Sequence, residues 1–354
     1  MKEQLTIIIP THNRPALISR ALEYYTTWGC KIIVCDSSQN EPEPFYLPNV
    51  HLLYCPELSF DQKLYKAVRQ VTTPYVCLSA DDDFLAVSSL NAGIEFLDNH
   101  DDYVSVQGHY LQFAWNNSEL SIHPNYVSVI GFHIDDSEPS QRIIHTMNPF
   151  MHHIYSMHRS GVLIKSLAIS LDYNAPPLAE FTTAIGGMIF GKHRMLPVFW
   201  MARDSGRYTV YNHNINVQET LVFNISKFLT TSDGLLYRAR FSEAYATHSG
   251  EAVNMGKAVF DQAFSSYLSR QSVVREGFTS NIRKSLRQRI RKHTPAVVLQ
   301  WRNWLLQKGF VPRSYPQNLG YPWSDSKAKE EWVIMKEIIM KHGQFPTVED
   351  NRLL

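Results

Sequence analysis

Near the N-terminus a short apolar run, ending each time in a polar cluster, occurs three times, and this pattern restricts the fold more than any other feature. Leu5-Thr6-Ile7-Ile8-Ile9 is rich in β-branched residues, as expected of a strand covered on both faces, and Pro10 is expected to end it. Residues 31–35 and 75–79 repeat the pattern, and 50–54 reads as a further strand. Between them, 15–28 has helical spacing, with Leu17, Ala21, Leu22 and Tyr25 on one face and Gly29 closing it. Residues 61–71 read as a second helix. Strand–helix–strand alternation at this spacing predicts an α/β fold, a Rossmann-like and mainly parallel sheet with flanking helices.

Ligands of such sheets bind beyond the carboxyl ends of the strands. Three strands finish in Thr11-His12-Asn13-Arg14, in Asp36-Ser37-Ser38 and in Asp81-Asp82-Asp83. One crevice collecting all three would be a nucleotide site. Three consecutive aspartates repel one another, so a loop carrying them is either a solvated turn or a cation site. At the end of a buried strand, with Phe84-Leu85 behind, the cation site is the expectation.

Read together, the opening Leu5-Thr-Ile-Ile-Ile-Pro-Thr-His-Asn-Arg-Pro, Ile33-Val-Cys-Asp-Ser-Ser and Thr73-Pro-Tyr-Val-Cys-Leu-Ser-Ala-Asp-Asp-Asp-Phe resemble an inverting family-2 glycosyltransferase of the GT-A fold, with its DxD motif. The likeness is strong over about the first hundred residues and looser to about residue 210. It implies a nucleotide-sugar donor and a divalent cofactor, Mg²⁺ or Mn²⁺. Such an ion neutralises a departing diphosphate, and hard oxygen ligands suit it. The resemblance places the metal on Asp81 and Asp83, although a gapless alignment from Tyr75 favours Asp82. Pro10, Thr11, His12, Asn13, Arg14, Ser37, Asp81 and Asp82 would line the nucleotide pocket. Asp36 would accept from the N3–H of uracil, which makes UDP the favoured nucleotide. Lys63 could reach the base or diphosphate, or be a solvated helix lysine.

An inverting transfer also needs a general base for the acceptor hydroxyl. Glu180, in Pro176-Pro-Leu-Ala-Glu-Phe just inside the helix at 178–190, is the best match. Helix-dipole stabilisation is its alternative role. Asp172 and Asp204 stand in reserve, and Arg159 and Arg203 are candidate phosphate or acceptor contacts. The implied acceptor is a saccharide or lipid-linked saccharide hydroxyl, as in surface polysaccharide synthesis. Two rivals remain: a sugar-nucleotide nucleotidyltransferase, and a non-catalytic nucleotide-sugar-binding module. The first would want a glycine-rich phosphate loop, and residues 11–15 contain no glycine.

The reading divides the chain into a catalytic unit at 1–234, with nucleotide-binding (1–103) and acceptor (104–234) halves, and a helical region at 235–354. Within the acceptor half, 104–134 reads as short strands with turns. In the C-terminal region, Arg283, Lys284, Arg287, Arg289, Arg291 and Lys292 alternate with Ile282, Leu286 and Ile290. After Pro295 a second stripe carries Trp301 and Trp304. The pair suits either peripheral contact with an anionic membrane or helices packed on the catalytic unit. The last ten residues read as a loose tail.

Formal net charge is +1, which argues neither for a nucleic-acid nor for an acidic partner, and no nucleic-acid partner is expected. No stretch approaches the roughly 18–20 apolar residues that span a bilayer, and no secretory pattern opens the chain. The expected location is cytoplasmic, peripheral on the inner membrane face if the basic helix binds lipid. Cys30, Cys35, Cys55 and Cys77 form no CxxC pair and read as buried, reduced thiols. His145, His152, His153 and His158 lack zinc-site spacing and read as ordinary polar or stacked histidines.

Overall fold

The computed structural model describes residues 3–116, 119–125, 131–170, 176–204, 225–278 and 326–343. Asp172, the basic residues from Arg283 to Lys292, the Trp301/Trp304 stripe and the last ten residues lie outside them.

The strands are β1 Leu5–Thr11, β2 Lys31–Asp36, β3 Val50–Tyr54, β4 Tyr75–Leu78, β5 Phe84–Leu85, β6 Tyr103–Asn116, β7 Glu119–Asn125, β8 Met157–Arg159 and β9 Lys192–Asp204. They form one nine-stranded sheet in the order β3-β2-β1-β4-β8-β6-β9-β5, with β7 paired to β6. Pairing is parallel across β3-β2-β1-β4 and mixed beyond. The helices are α1 Pro15–Tyr25, α2 Phe60–Val68, α3 Val87–Asp98, α4 Pro139–Thr146, α5 Ser160–Leu167, α6 Pro176–Phe190, α7 Ile225–Phe228, α8 Ser232–Ser249, α9 Val253–Phe278 and α10 Ser326–His342. The expected α/β architecture, with a helical C-terminal region, is what the chain forms.

β1 is covered on both faces because its side chains alternate between two apolar clusters. Leu5, Ile7 and Ile9 join α1, α3 and α10 on one side. Ile8 joins α2 and α5 on the other. All four are fully buried, each contributing about 1.5–3 kcal/mol of transfer free energy. A third cluster gathers α4, α6, α8 and α9. Helix α10 packs against the first: Ala328, Trp332, Met335 and Ile339 share a core with Leu5, Ile7 and Ile9. Glu331 on α10 accepts from Ser88 N (2.5 Å) and Ser88 Oγ (2.9 Å) at the start of α3.

Pro10 does not end the first strand, which continues to Thr11. The last ladder bond to β4 runs from Ser79 N to Ile8 O, so the amide that Pro10 lacks would be the next donor beyond the ladder. Its ring therefore sits where β1 and β4 part, at no cost in hydrogen bonding. Helix α2 starts at Phe60 through a reciprocal capping box between Ser59 and Gln62, and ends at Val68 rather than residue 71.

The region expected to hold short strands with turns forms an antiparallel pair, but its first strand, β6, runs for 14 residues before the shorter β7. The interior of β6 carries buried polar residues that disguise the alternation: Ser105, Gln107 and His109. Ser105 Oγ bonds His193 Nδ1 on β9 (2.8 Å), and Gln107 Oε1 accepts from Tyr110 OH and Ser156 Oγ. All four cysteines are buried and unpaired. Among the described residues no helix is long and apolar enough to cross a membrane.

Candidate functional site

The chain leaves β1 outward through β2 and β3, then returns to place β4 on the other side of β1. Connections on the two flanks thus run in opposite directions. They open a crevice at the carboxyl ends of β1 and β4. The three polar clusters meet there in direct contact.

The turn after β1 is bound to the turn after β2. Asn13 adopts a left-handed φ of 54°, which asparagine tolerates well. Its N–H donates to Ser38 Oγ (2.7 Å), and its Oδ1 accepts from Gln39 N (3.1 Å). His12 Nδ1 lies 2.8 Å from Ser37 O, so that nitrogen carries the proton and Nε2 accepts from Asn13 Nδ2. Asp36 is buried, with Oδ1 accepting from Ser38 N (2.7 Å). Lys63 is not a solvated lysine. It is buried, and its Nζ donates to Thr11 O (2.7 Å) and Ser37 Oγ (2.9 Å), bracing both turns. Burial lowers its pKa, partly countered by surrounding acidic groups.

The aspartates face the same turn. Thr11 Oγ1 donates to Asp81 Oδ2 (2.7 Å). Arg14 spans two carboxylates, from Nη1 to Asp81 Oδ1 (2.7 Å) and from Nη2 to Asp82 Oδ2 (2.6 Å). Asp83 Oδ1 accepts from Asp204 N (2.9 Å). Asp83 Oδ2 is buried and has no hydrogen bond, with Arg203 Nε at 3.4 Å. Below them Tyr25 OH contacts Ser79 Oγ, Asp83 O and Leu85 N, which fixes the backbone of the turn. The fully buried Arg20 donates to Asp82 O (2.9 Å) and reaches Asp204 Oδ2 at 3.3 Å. Burial raises the pKa of Asp81 against the pull of Arg14, and raises that of Asp83 with Asp82 adding to the effect.

These residues suit a hard divalent cation. Asp83 presents a buried carboxylate oxygen with no hydrogen bond, and a bound cation would offset the cost of ionising it. Among the described residues no three His, Cys, Asp or Glu side chains are arranged to hold a metal by themselves. A cation here would need oxygens from a ligand or water to complete its shell.

Glu180, on α6, is linked to the aspartate turn through Arg203, which lies 3.4 Å from Asp83 Oδ2. Its carboxylate pairs with His152 Nδ1 (2.8 Å) and feels Arg203, whose guanidinium lies 5.1 Å from the Tyr155 ring centroid. Burial alone would raise the pKa of Glu180, but the His152 hydrogen bond and the nearby Arg203 lower it overall. Its side chain is 37% exposed, so the carboxylate is accessible. Asp204 is committed elsewhere, to Arg20 and, through its backbone, to Asp83.

Arg159 is corrected. It pairs with Tyr75 at the start of β4, the opposite end of the sheet from the crevice. Its guanidinium donates to the carbonyls of Tyr103, Leu97 and His100. No phosphate at the crevice is within its reach. Sequence reasoning missed Arg20, Tyr25, Tyr155 and His152 as parts of the site. Only Arg20 carried a signal: it lies three residues after Leu17 and four before Tyr24, an arginine on the apolar face of α1.

No family model matches the chain, and no curated protein matches it. Among solved structures it is similar to S. aureus TarS 1–349 (13% identity, TM-score 0.41), covering 77% of this chain and 92% of that one. TarS 1–349 in complex with UDP-GlcNAc gives 12% identity and a TM-score of 0.44 at the same coverage. TarS itself gives 13% and 0.40, covering 75% of this chain and 54% of that one.

Proposed function

We propose that the chain is a divalent-cation-dependent glycosyltransferase that moves a sugar, with inversion, from a UDP-type nucleotide-sugar to a saccharide or lipid-linked saccharide hydroxyl. One observation carries the reading: three strand-end turns are joined by direct contacts at the switch point of the sheet, around a buried carboxylate oxygen that has no hydrogen bond.

Within this reading, Asp36 and residues 11–14 with Ser37 hold the nucleotide, and Lys63 holds their turns in place. Asp81 and Asp83, with Asp82 beside them, would hold Mg²⁺ or Mn²⁺. When bound, the ion supplies neutralisation of the diphosphate leaving group. Arg203, over Tyr155, sits between the aspartate turn and Glu180, where it can face the diphosphate. Glu180 takes the proton from the acceptor oxygen as that oxygen attacks the anomeric carbon. A nucleotidyltransferase is disfavoured because the turn after β1 carries side chains in place of a glycine-rich phosphate cradle.

The test is incubation with labelled nucleotide-sugars in Mn²⁺, Mg²⁺ or chelator. Metal-dependent UDP release supports a transferase. Pyrophosphate consumption would move the assignment to the nucleotidyltransferase, and ligand binding without turnover to a binding module. Asp83→Ala with full activity would require another metal site. The basic residues from Arg283 to Lys292 are proposed to hold the protein peripherally on anionic lipid. Co-sedimentation with anionic liposomes at low salt, lost on neutralising Arg287, Arg289 and Arg291, tests that part.

A further inference from the structure

We propose that Arg14 is a built-in counter-cation for the aspartate turn, and that a divalent ion binds tightly only when a nucleoside diphosphate draws the Arg14 guanidinium away. The proposal rests on the cation-site reading above. Arg14 is the residue before α1 but makes no side-chain cap to that helix. Instead its fork is spent on Asp81 Oδ1 and Asp82 Oδ2, one nitrogen to each. Thr11 takes the remaining Asp81 oxygen, so neither oxygen of Asp81 is open while Arg14 is docked. A metal ion taking Asp81 Oδ1 or Asp82 Oδ2 must displace the guanidinium already in contact with it, because both positive groups need the same oxygen.

The geometry also supplies the partner for the displaced group. Arg14 follows Asn13 at the crevice mouth and is 10% exposed, so its side chain can turn toward the opening without moving β1. The anion that it would meet there is the diphosphate, with which a guanidinium pairs through two parallel hydrogen bonds. Cation and nucleotide then bind with positive coupling, and reciprocity requires each to strengthen the other.

The experiment titrates Mn²⁺ alone, by electron paramagnetic resonance of the free ion, into wild-type protein and Arg14→Gln, with and without UDP. Wild type should bind Mn²⁺ weakly alone and more tightly with UDP. Arg14→Gln should bind Mn²⁺ alone on the order of tenfold tighter or more, since a nearby competing charge is gone. Its enhancement by UDP should shrink. Arg14→Lys, a point charge unable to bridge two carboxylates, should fall between them. Wild type that binds no Mn²⁺ even with UDP would sink the cation-site reading itself. Wild type that binds with UDP, beside an Arg14→Gln variant no tighter for Mn²⁺ alone, would overturn the role of Arg14 and leave the site standing. Should Arg14→Gln be unfolded by circular dichroism, refolding on adding Mn²⁺ supports the proposal, and failure to refold overturns it.

Discussion

Lowering the pH should strip stability from this protein through three buried histidines, and replacing one of them should return a calculable part. His153, His158 and His193 are almost completely buried and adjacent. The rings of His153 and His193 stack with centroids 4.0 Å apart and planes 17° from parallel. His158 Nε2 donates to His153 O (2.8 Å), whereas neither ring nitrogen of His153 has a partner. Burial holds all three neutral: His158 is pushed down to about 4, His193 to about 3, and His153 well below its usual range. Unfolded histidines take up a proton below about pH 6.5, and these folded ones do not until far lower. The unfolded state therefore binds more protons in that interval. Stability present above pH 6.5 is lost as pH falls, by about 1.4 kcal/mol per histidine per pH unit. Between pH 7.5 and 5.0 each contributes a loss of ~2 kcal/mol. Asp81 and Asp83, with raised folded pKa values, act in the opposite sense, so the whole-protein slope is a difference. A single substitution isolates one histidine. His153→Met removes an imidazole with no hydrogen bond and fills similar space. Urea unfolding followed by tryptophan fluorescence should show the variant gaining ~2 kcal/mol on wild type between pH 7.5 and 5.0. Parallel pH–stability curves for wild type and His153→Met would refute the reasoning.

Glu180→Gln should lower kcat for UDP release by about 10²–10⁴ while leaving donor affinity by calorimetry nearly unchanged, since only proton removal is lost. Gly108→Ala should destabilise by about 1–3 kcal/mol in urea midpoint, because a Cβ there would stand 2.5 Å from Val198 O and 2.9 Å from Val198 Cγ2. Glu331→Ala should lower the urea unfolding free energy by about 0.5–2 kcal/mol by removing the acceptor for Ser88 N and Oγ.

What could be read from sequence was whatever is local and periodic. β1 to β4 follow from unbroken apolar runs, and the turns at 11–14, 36–38 and 81–83 follow from where those runs stop. The length of β6 escaped because Ser105, Gln107 and His109 are polar yet buried, and their partners lie on strands and loops distant in sequence. β9 escaped for a related reason: His193 and Arg194 interrupt its apolar alternation. The site shows the same division. Asp83 was legible as a residue type in a motif, but the contact between its amide-bonded carboxylate and Asp204 spans 121 positions. His152 could not be linked to Glu180 without the fold that brings a loop beside α6. Arg159 misled because an arginine at a strand end looks the same from either end of a sheet.

Helix α10 bears on the order in which the β1–β4 unit is assembled. Trp332, Met335 and Ile339 lie in the same apolar cluster as Leu5, Ile7 and Ile9, the first strand of the chain. A ribosome making this protein from its N-terminus therefore releases β1 to β4 and their helices long before their last packing partner exists. Their face toward α1 and α3 must stay incompletely covered through the synthesis of everything between. N-terminal units usually finish folding first during translation. Here the β1–β4 unit has its packing completed by a helix made far later in the chain.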